Sequence, residues 1–220
     1  HLILTKEEKD QLLEVEPNAE KWIKKLLGAQ EFLQGRERWC LWLVGITVED
    51  LEKVSHVRER VQRVKQMRLA SKKVATRRIA ERPHEFGEIR HPDQGSYILV
   101  PSFTSERRHY VPLGLMDSSI ISNNKNFMIP SGSLFDFSVL SSEFHMDWMR
   151  LVCGRLKSDY GYSASLVYNT FPWPDASEKQ RQEIEQLGRE VILARAVHPD
   201  KTMAQLYDPD KMPENLLEAH

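Results

Sequence analysis

The spacing of apolar residues changes period twice along this chain, and that change constrains its fold more than any other feature. Val57, Val61, Val64 and Met67 recur at three- and four-residue steps, the period of a helix with one apolar face. From Phe86 to Pro130 the helical period gives way to short extended runs, Phe86 to Arg90, Tyr97 to Val100, His109 to Leu115 and Phe127 to Ile129, separated by turn signals at Pro92-Asp93-Gln94-Gly95 and Asn123-Asn124. Helical spacing then returns. Ser133-Leu134-Phe135-Asp136 is expected to cap a helix reaching Leu156, with Phe137, Leu140, Phe144, Trp148, Leu151 and Val152 on its apolar side. Strands in the middle and helices on either side predict an α+β fold. Its short strands should form a central antiparallel or mixed sheet flanked by helices, and its C-terminal part should be helical.

Local signals fill in the ends. Thr5-Lys6-Glu7-Glu8 has the spacing of a capping box, so a short helix should run through Leu12 and Leu13 and stop before Pro17. A second short helix is expected from Ala19 to Leu27. The nearly continuous apolar run from Arg38 to Ile46 fits a strand buried on both faces, central to a sheet. Thr47-Val48-Glu49-Asp50 is another cap, leading into a long basic segment that Pro83 closes. Ser177 and Gln180 open a late helix, and an acidic, proline-punctuated tail follows. These signals suggest a target-recognition part over 1–116, with the helices, the buried strand, the basic helix and the start of the sheet, and a mainly helical part over 117–220.

With 220 residues, 40% of them hydrophobic, the chain can bury a sizeable core. No apolar run approaches the roughly 18 residues of a membrane helix, and the first residues lack the layout of a signal peptide, so no membrane partner is expected. The two cysteines, Cys40 and Cys153, have no Cys-x-x-Cys spacing and read as buried thiols of a cytoplasmic protein. The formal net charge is only -1, but it hides a segregation. Arg58, Arg60, Arg63, Lys65, Arg68, Lys72, Lys73, Arg77, Arg78 and Arg82 stand against only Glu59 and Glu81 in the same stretch, while acidic residues gather at both ends. Such asymmetry points to one face for an anion.

Catalytic patterns are missing. The ten glycines never form a Gly-x-Gly, so no turn for S-adenosylmethionine is present, and no Asn/Asp-Pro-Pro-aromatic loop is available to hold a flipped base. Glu7 and Lys9 lack the upstream carboxylate of a metal-dependent nuclease. No catalytic residue, metal ligand or cofactor is therefore expected in this chain. His198-Pro199-Asp200-Lys201 resembles a J-domain co-chaperone loop, but the helix before it is mixed or acidic rather than basic, and a helix end followed by a proline turn explains it as well. The alternative function is accordingly a protein-interaction module, co-chaperone-like or subunit-docking, without direct DNA contact.

Four clusters carry chemistry suited to nucleic acid. The basic helix and its continuation through Lys72, Lys73, Arg77 and Arg78 offer cations that can follow successive phosphates, although a solvated helix face is the plainer reading. Ser105-Glu106-Arg107-Arg108 lies between expected strands, where arginine could read guanine and glutamate the cytosine amino group; an ordinary polar hairpin is the alternative. Asn124 and Lys125 belong to a second polar turn. Finally, Arg155, Lys157 and Ser158 adjoin Tyr160, Tyr162, Tyr168, Phe171 and Trp173. These aromatics could stack on a base, or form core with only the Lys157 to Tyr162 portion exposed.

Several segments together resemble the target-recognition and C-terminal region of MmeI-like type IIG restriction-modification enzymes and the related large YeeA-type DNA methylases. They are Glu37-Arg38-Trp39-Cys40-Leu41-Trp42-Leu43, Arg68-Leu69-Ala70-Ser71-Lys72, Phe86-Gly87-Glu88-Ile89-Arg90, Ser105 to Arg108 with Tyr110 and Pro112, His145-Met146 with Trp148, and Val152 to Tyr160 continuing to Pro174. Order and spacing match from near residue 4 onward, and by the family pattern the chain stops at His220 before the usual end. The resemblance implies a module that binds double-stranded DNA and selects a site for a methyltransferase domain of the same parent chain. That domain would use S-adenosylmethionine to modify adenine on N6, and some members add an endonuclease. It also implies that Arg68, Ser71 and Lys72 lie near the DNA backbone and that Glu106, Arg107 and Arg108 are candidates for base or phosphate contact.

Overall fold

A computed structural model describes residues 1–220. Strand β1 (Ile3–Leu4) is followed by helix α1 (Lys6–Val15), whose N-cap Thr5 and Glu8 form the reciprocal capping box expected of them. A 3-10 turn (Pro17–Trp22) leads into β2 (Ile23–Leu27), then α2 (Ala29–Gln34) and β3 (Trp39–Leu41). Helices α3 (Val48–Glu52), capped by Thr47, α4 (Ser55–Leu69) and α5 (Val74–Arg78) follow. The middle of the chain holds β4 (Ser96–Pro101), β5 (Phe103–Thr104), β6 (Gly114–Asp117), β7 (Ile120–Ser122) and β8 (Asn126–Pro130). After α6 (Leu134–Leu140) and α7 (Glu143–Val152) comes the hairpin of β9 (Gly154–Leu156) and β10 (Asp159–Gly161). Helices α8 (Glu178–Ala196), α9 (Met203–Leu206) and α10 (Glu214–Ala219) complete the chain. This is the α+β class with a helical C-terminal part, but in place of one central sheet there are three small ones.

The chain forms two compact units, each discontinuous in sequence. The first comprises residues 1–26, 37–91 and 119–121, the second 27–36, 92–118 and 122–220. The sheet of β1, β3, β2 and β7 runs in that order, so β3 is an interior strand, pairing antiparallel with β1 (Ile3 opposite Cys40) and with β2 (Ile23 opposite Leu41), but of the strand expected from Arg38 to Ile46 only Trp39–Leu41 is extended. Val57, Val61 and Val64 of α4 pack against Leu4, Leu12, Leu41 and Leu43. Each such side chain removed from water contributes about 1.5–3 kcal/mol. The N-terminus of α4 has no cap of its own. Glu16, distant in sequence and itself buried, accepts from the amides of His56 and Val57 and from the Ser55 hydroxyl, satisfying donors that the helix leaves open.

In the second unit β4 lies between β6 and β8, both antiparallel to it, and β10 lies between β5 and β9. Ile98, Val100, Leu113, Phe137, Leu140, Met146 and Met149 form the core beneath. Helix α8, opened by the Ser177–Gln180 capping box, lies against α6 so closely that a Cβ at Gly188 would meet the Ser138 side chain. The turn at Pro92–Gly95 is real, with Gly95 at φ +83°.

Several expectations are corrected. The Ala19 to Leu27 segment is a 3-10 turn and a strand rather than a helix, because pairing with β3 overrides a short apolar run of ambiguous period. Phe86 to Arg90 is not a strand, and only the last two residues of His109 to Leu115 enter β6. The helix from Ser133 does not reach Leu156. It breaks at Ser141-Ser142, where Ser142 caps a new helix, and ends at Val152 before β9. That break changes the buried face, so Phe144 and Leu151 are exposed while Met146 and Met149 are core; Met67 is exposed as well.

Candidate nucleic-acid interface

In the first unit the long cationic block separates into committed and uncommitted side chains. Arg60 pairs with Glu8, Arg63 with Glu59 and Arg82 with Glu85. Arg77 donates to the carbonyls of Ser71 (2.9 Å) and Lys72 (3.0 Å), and the Ser71 hydroxyl accepts from the Lys73 amide. Arg68 is 6% exposed, and its guanidinium donates to three carbonyls, those of Ile79, Arg82 and Glu85. Arg68 thus faces inward, whereas Ser71 is half-buried and Lys72, Lys73, Arg77 and Arg78 are exposed. Lys72, Lys73 and Arg78, within seven residues of one another, have no carboxylate partner. All three are open to solvent.

In the second unit the small sheet brings together two segments that lie some fifty residues apart in sequence. The Ser105–Arg108 turn follows β5, and each of its three charged side chains has a partner. Glu106 accepts from Arg155 at 3.2 Å, Arg107 pairs with Asp210, and Arg108 donates to Thr104 Oγ1 at 2.9 Å. Burial pushes the Arg108 guanidinium below its ordinary value, with Asp159 and Asp208 opposing. Arg155 also lies over the Tyr160 ring, 4.5 Å from its centre, directly across the β9–β10 ladder. Lys157, at φ +57°, and Ser158 form the exposed hairpin tip.

Asn124 and Lys125 are exposed on the turn between β7 and β8, where the Lys125 carbonyl accepts from the Ser102 amide and the Ser102 carbonyl from Tyr162. The side chain of Asn126 behind them is buried and donates to Leu27. The aromatic group divides in two. Tyr160 is buried apart from the guanidinium laid on it, and Tyr162 is core, its hydroxyl 3.2 Å from His145 Nε2. Burial holds the His145 imidazole down at about 4 and pushes the Tyr162 phenol up. Tyr168 and Phe171 each pack edge-on to Trp173. His198 follows the end of α8, just past the C-cap Val197, and its ring is bonded to Asn215. Thr104 and Asp210, which engage Arg108 and Arg107, carried no sequence signal beyond a strand threonine and one acid in an acidic tail.

The fold and these clusters define an α+β recognition module, with cationic and polar side chains displayed on loops rather than gathered around a pocket. A family model described as the MmeI target recognition domain matches residues 1–175, and one described as the MmeI C-terminal domain matches residues 176–220. The chain belongs to the MmeI family. It is 37% identical over 204 residues to DNA methyltransferase A of Bacillus subtilis (strain 168), covering 93% of this chain and 23% of that protein. It is similar over its whole length to the Type IIL restriction-modification enzyme MmeI, solved in complex with DNA, at 42% identity and a TM-score of 0.93, and spans 29% of that chain. This chain therefore covers less than a third of the length of either relative.

Proposed function

We propose that this chain selects the DNA sequence on which a larger restriction-modification or DNA-methylating enzyme acts in the cytoplasm. The observation that carries the reading is the full-length match in fold to part of MmeI, an enzyme solved with DNA. Ser71, Lys72, Lys73 and Arg78 serve as phosphate contacts, which anchor a duplex without reading it, while Arg77 holds the Ser71 and Lys72 carbonyls beside them. Ser105, Glu106, Arg107, Arg108, Arg155, Lys157, Ser158, Asn124 and Lys125 supply donors and acceptors for base edges or phosphates. Tyr160 acts by holding the Arg155 guanidinium in place.

The parent's reaction, transfer of a methyl group from S-adenosylmethionine to adenine N6, is assigned to a methyltransferase domain outside this chain. The residues present do not fit that cofactor. No Gly-x-Gly turn exists, and the largely apolar cavity of about 260 Å³ lined by α6 and α8 residues offers no carboxylate for a ribose. The test is binding of the chain to mixed-sequence duplex DNA at low and moderate salt. Affinity should fall steeply with salt and should weaken in both an Arg107→Ala, Arg108→Ala variant and a Lys72→Ala, Lys73→Ala variant. A folded chain that binds no duplex even at low salt would overturn the proposal.

A further inference from the structure

The resemblance to MmeI-like enzymes implies Arg68 as a residue near the DNA backbone, yet its side chain is turned away from solvent. Its geometry indicates another task. Beyond α4 the chain runs through α5 and then a 3-10 stretch, with the Arg82 amide bonded to the Ile79 carbonyl and the Glu85 amide to the Arg82 carbonyl. The 3-10 turn ends at Glu81, Arg82 takes a non-helical conformation (φ −117°, ψ 62°) and a turn over 82–85 follows; the Arg68 guanidinium gathers the carbonyls of Ile79, Arg82 and Glu85 at 2.8, 2.6 and 2.6 Å. No other side chain can do this, because only arginine presents several donors in a flat fork, whereas a lysine ammonium is a single point. Arg77 closes the near end of the same excursion on the Ser71 and Lys72 carbonyls. Between these two closures lie Lys72, Lys73 and Arg78, the cations that lack partners.

We infer that Arg68 is a positioning residue for DNA binding: it does not touch DNA but fixes the 70–85 segment so that Lys72, Lys73 and Arg78 are presented as a preorganised phosphate clamp. The inference rests on the DNA-recognition reading above. Its position in the stripe supports it, since Arg68 falls four residues after Val64 and seven after Val61, on the face of α4 that is buried. Without the guanidinium the three carbonyls keep only part of their bonding and the segment gains freedom, which each phosphate contact must then restrict.

The test measures duplex binding across a salt series for Arg68→Gln and Arg68→Lys, each made alone and in the Lys72→Ala, Lys73→Ala background. Arg68→Gln should weaken binding roughly tenfold and flatten the salt dependence towards that of the double lysine variant. In the lysine-free background it should cost almost nothing more, since the clamp it positions is gone. Arg68→Lys should fall between, and it carries the test if Arg68→Gln does not fold. Amide exchange should quicken from Ser71 to Glu85 while β1–β3 remains protected. Equal losses in both backgrounds, or no loss in either, would overturn the inference while the lysine variants still upheld DNA recognition. Absence of binding by the parent chain would instead remove the reading on which it rests.

Discussion

The two candidate surfaces are built on opposite electrostatic plans. Around Lys72, Lys73 and Arg78 the cations are exposed and unpaired, and the neighbouring arginines are spent on backbone carbonyls. Around Ser105–Arg108 and the β9–β10 hairpin most charges are already engaged, Glu106 with Arg155 and Arg107 with Asp210 as ion pairs and Arg108 on the Thr104 hydroxyl, with Lys157 left open at the tip. An unpaired cation gains by meeting any phosphate, and releases counterions as it does so. A paired one gains only if the new partner replaces the old bond with good geometry, because a donor or acceptor left unmet costs more than the bond was worth. The first arrangement suits affinity and the second suits discrimination. A recognition module needs both.

The contrast can be broken at several points. The severest change is Phe137→Ala, in the core beneath the second surface, which should cost about 3–5 kcal/mol in urea unfolding. A cost near 1 kcal/mol would mean that this scaffold is not rigid. Acid acts through the same core. His145 is held neutral by burial, at about 4 against an ordinary 6.5, so the unfolded chain takes up its proton first and stability should decline as pH falls from about 6.5 to 4, levelling below. In His145→Gln the pH profile should be flatter over that window. Lys72→Ala with Lys73→Ala should lower non-specific duplex affinity about tenfold and reduce the salt slope by about 0.9 per lost contact. Glu106→Gln should do the reverse on a smaller scale. It frees Arg155 and should raise non-specific affinity about twofold while changing stability by less than about 1 kcal/mol. If Glu106→Gln weakened binding to mixed sequence as the lysine changes do, the two surfaces would not differ in plan.

Much of this was legible where a signal is local. The capping boxes at Thr5, Ser133 and Ser177 each open the helix they announce, and the Trp39 run is a central strand. What escaped depends on partners far along the chain. Ile23–Leu27 is a strand because β3 lies beside it, and α4 begins where Glu16 receives its amides. Arg68 is the instructive case. Its residue type argued for solvent, whereas its place in the sequence of Val57, Val61 and Val64 put it on the buried face. Met67 erred in the opposite direction, an apolar side chain one position off the stripe and exposed. The meeting of the Ser105 loop with the hairpin followed from neither segment alone, since it is made by the pairing of β5 with β10.

The interleaving of the two compact units has a practical consequence for anyone wishing to transplant specificity. Because residues 27–36 belong with 92–118 and 122–220, while 37–91 belong with 1–26, a chimera joined at any single point from 27 to 121 cuts through both units at once. The boundary at 175/176 between the two family models is no safer, as it separates Phe171 from Ile184 in one apolar cluster and α6 from the helix packed against it. If the loops at 105–108 and 155–158 read bases as proposed, they are better exchanged alone, within the host's own strands, than as a contiguous cassette.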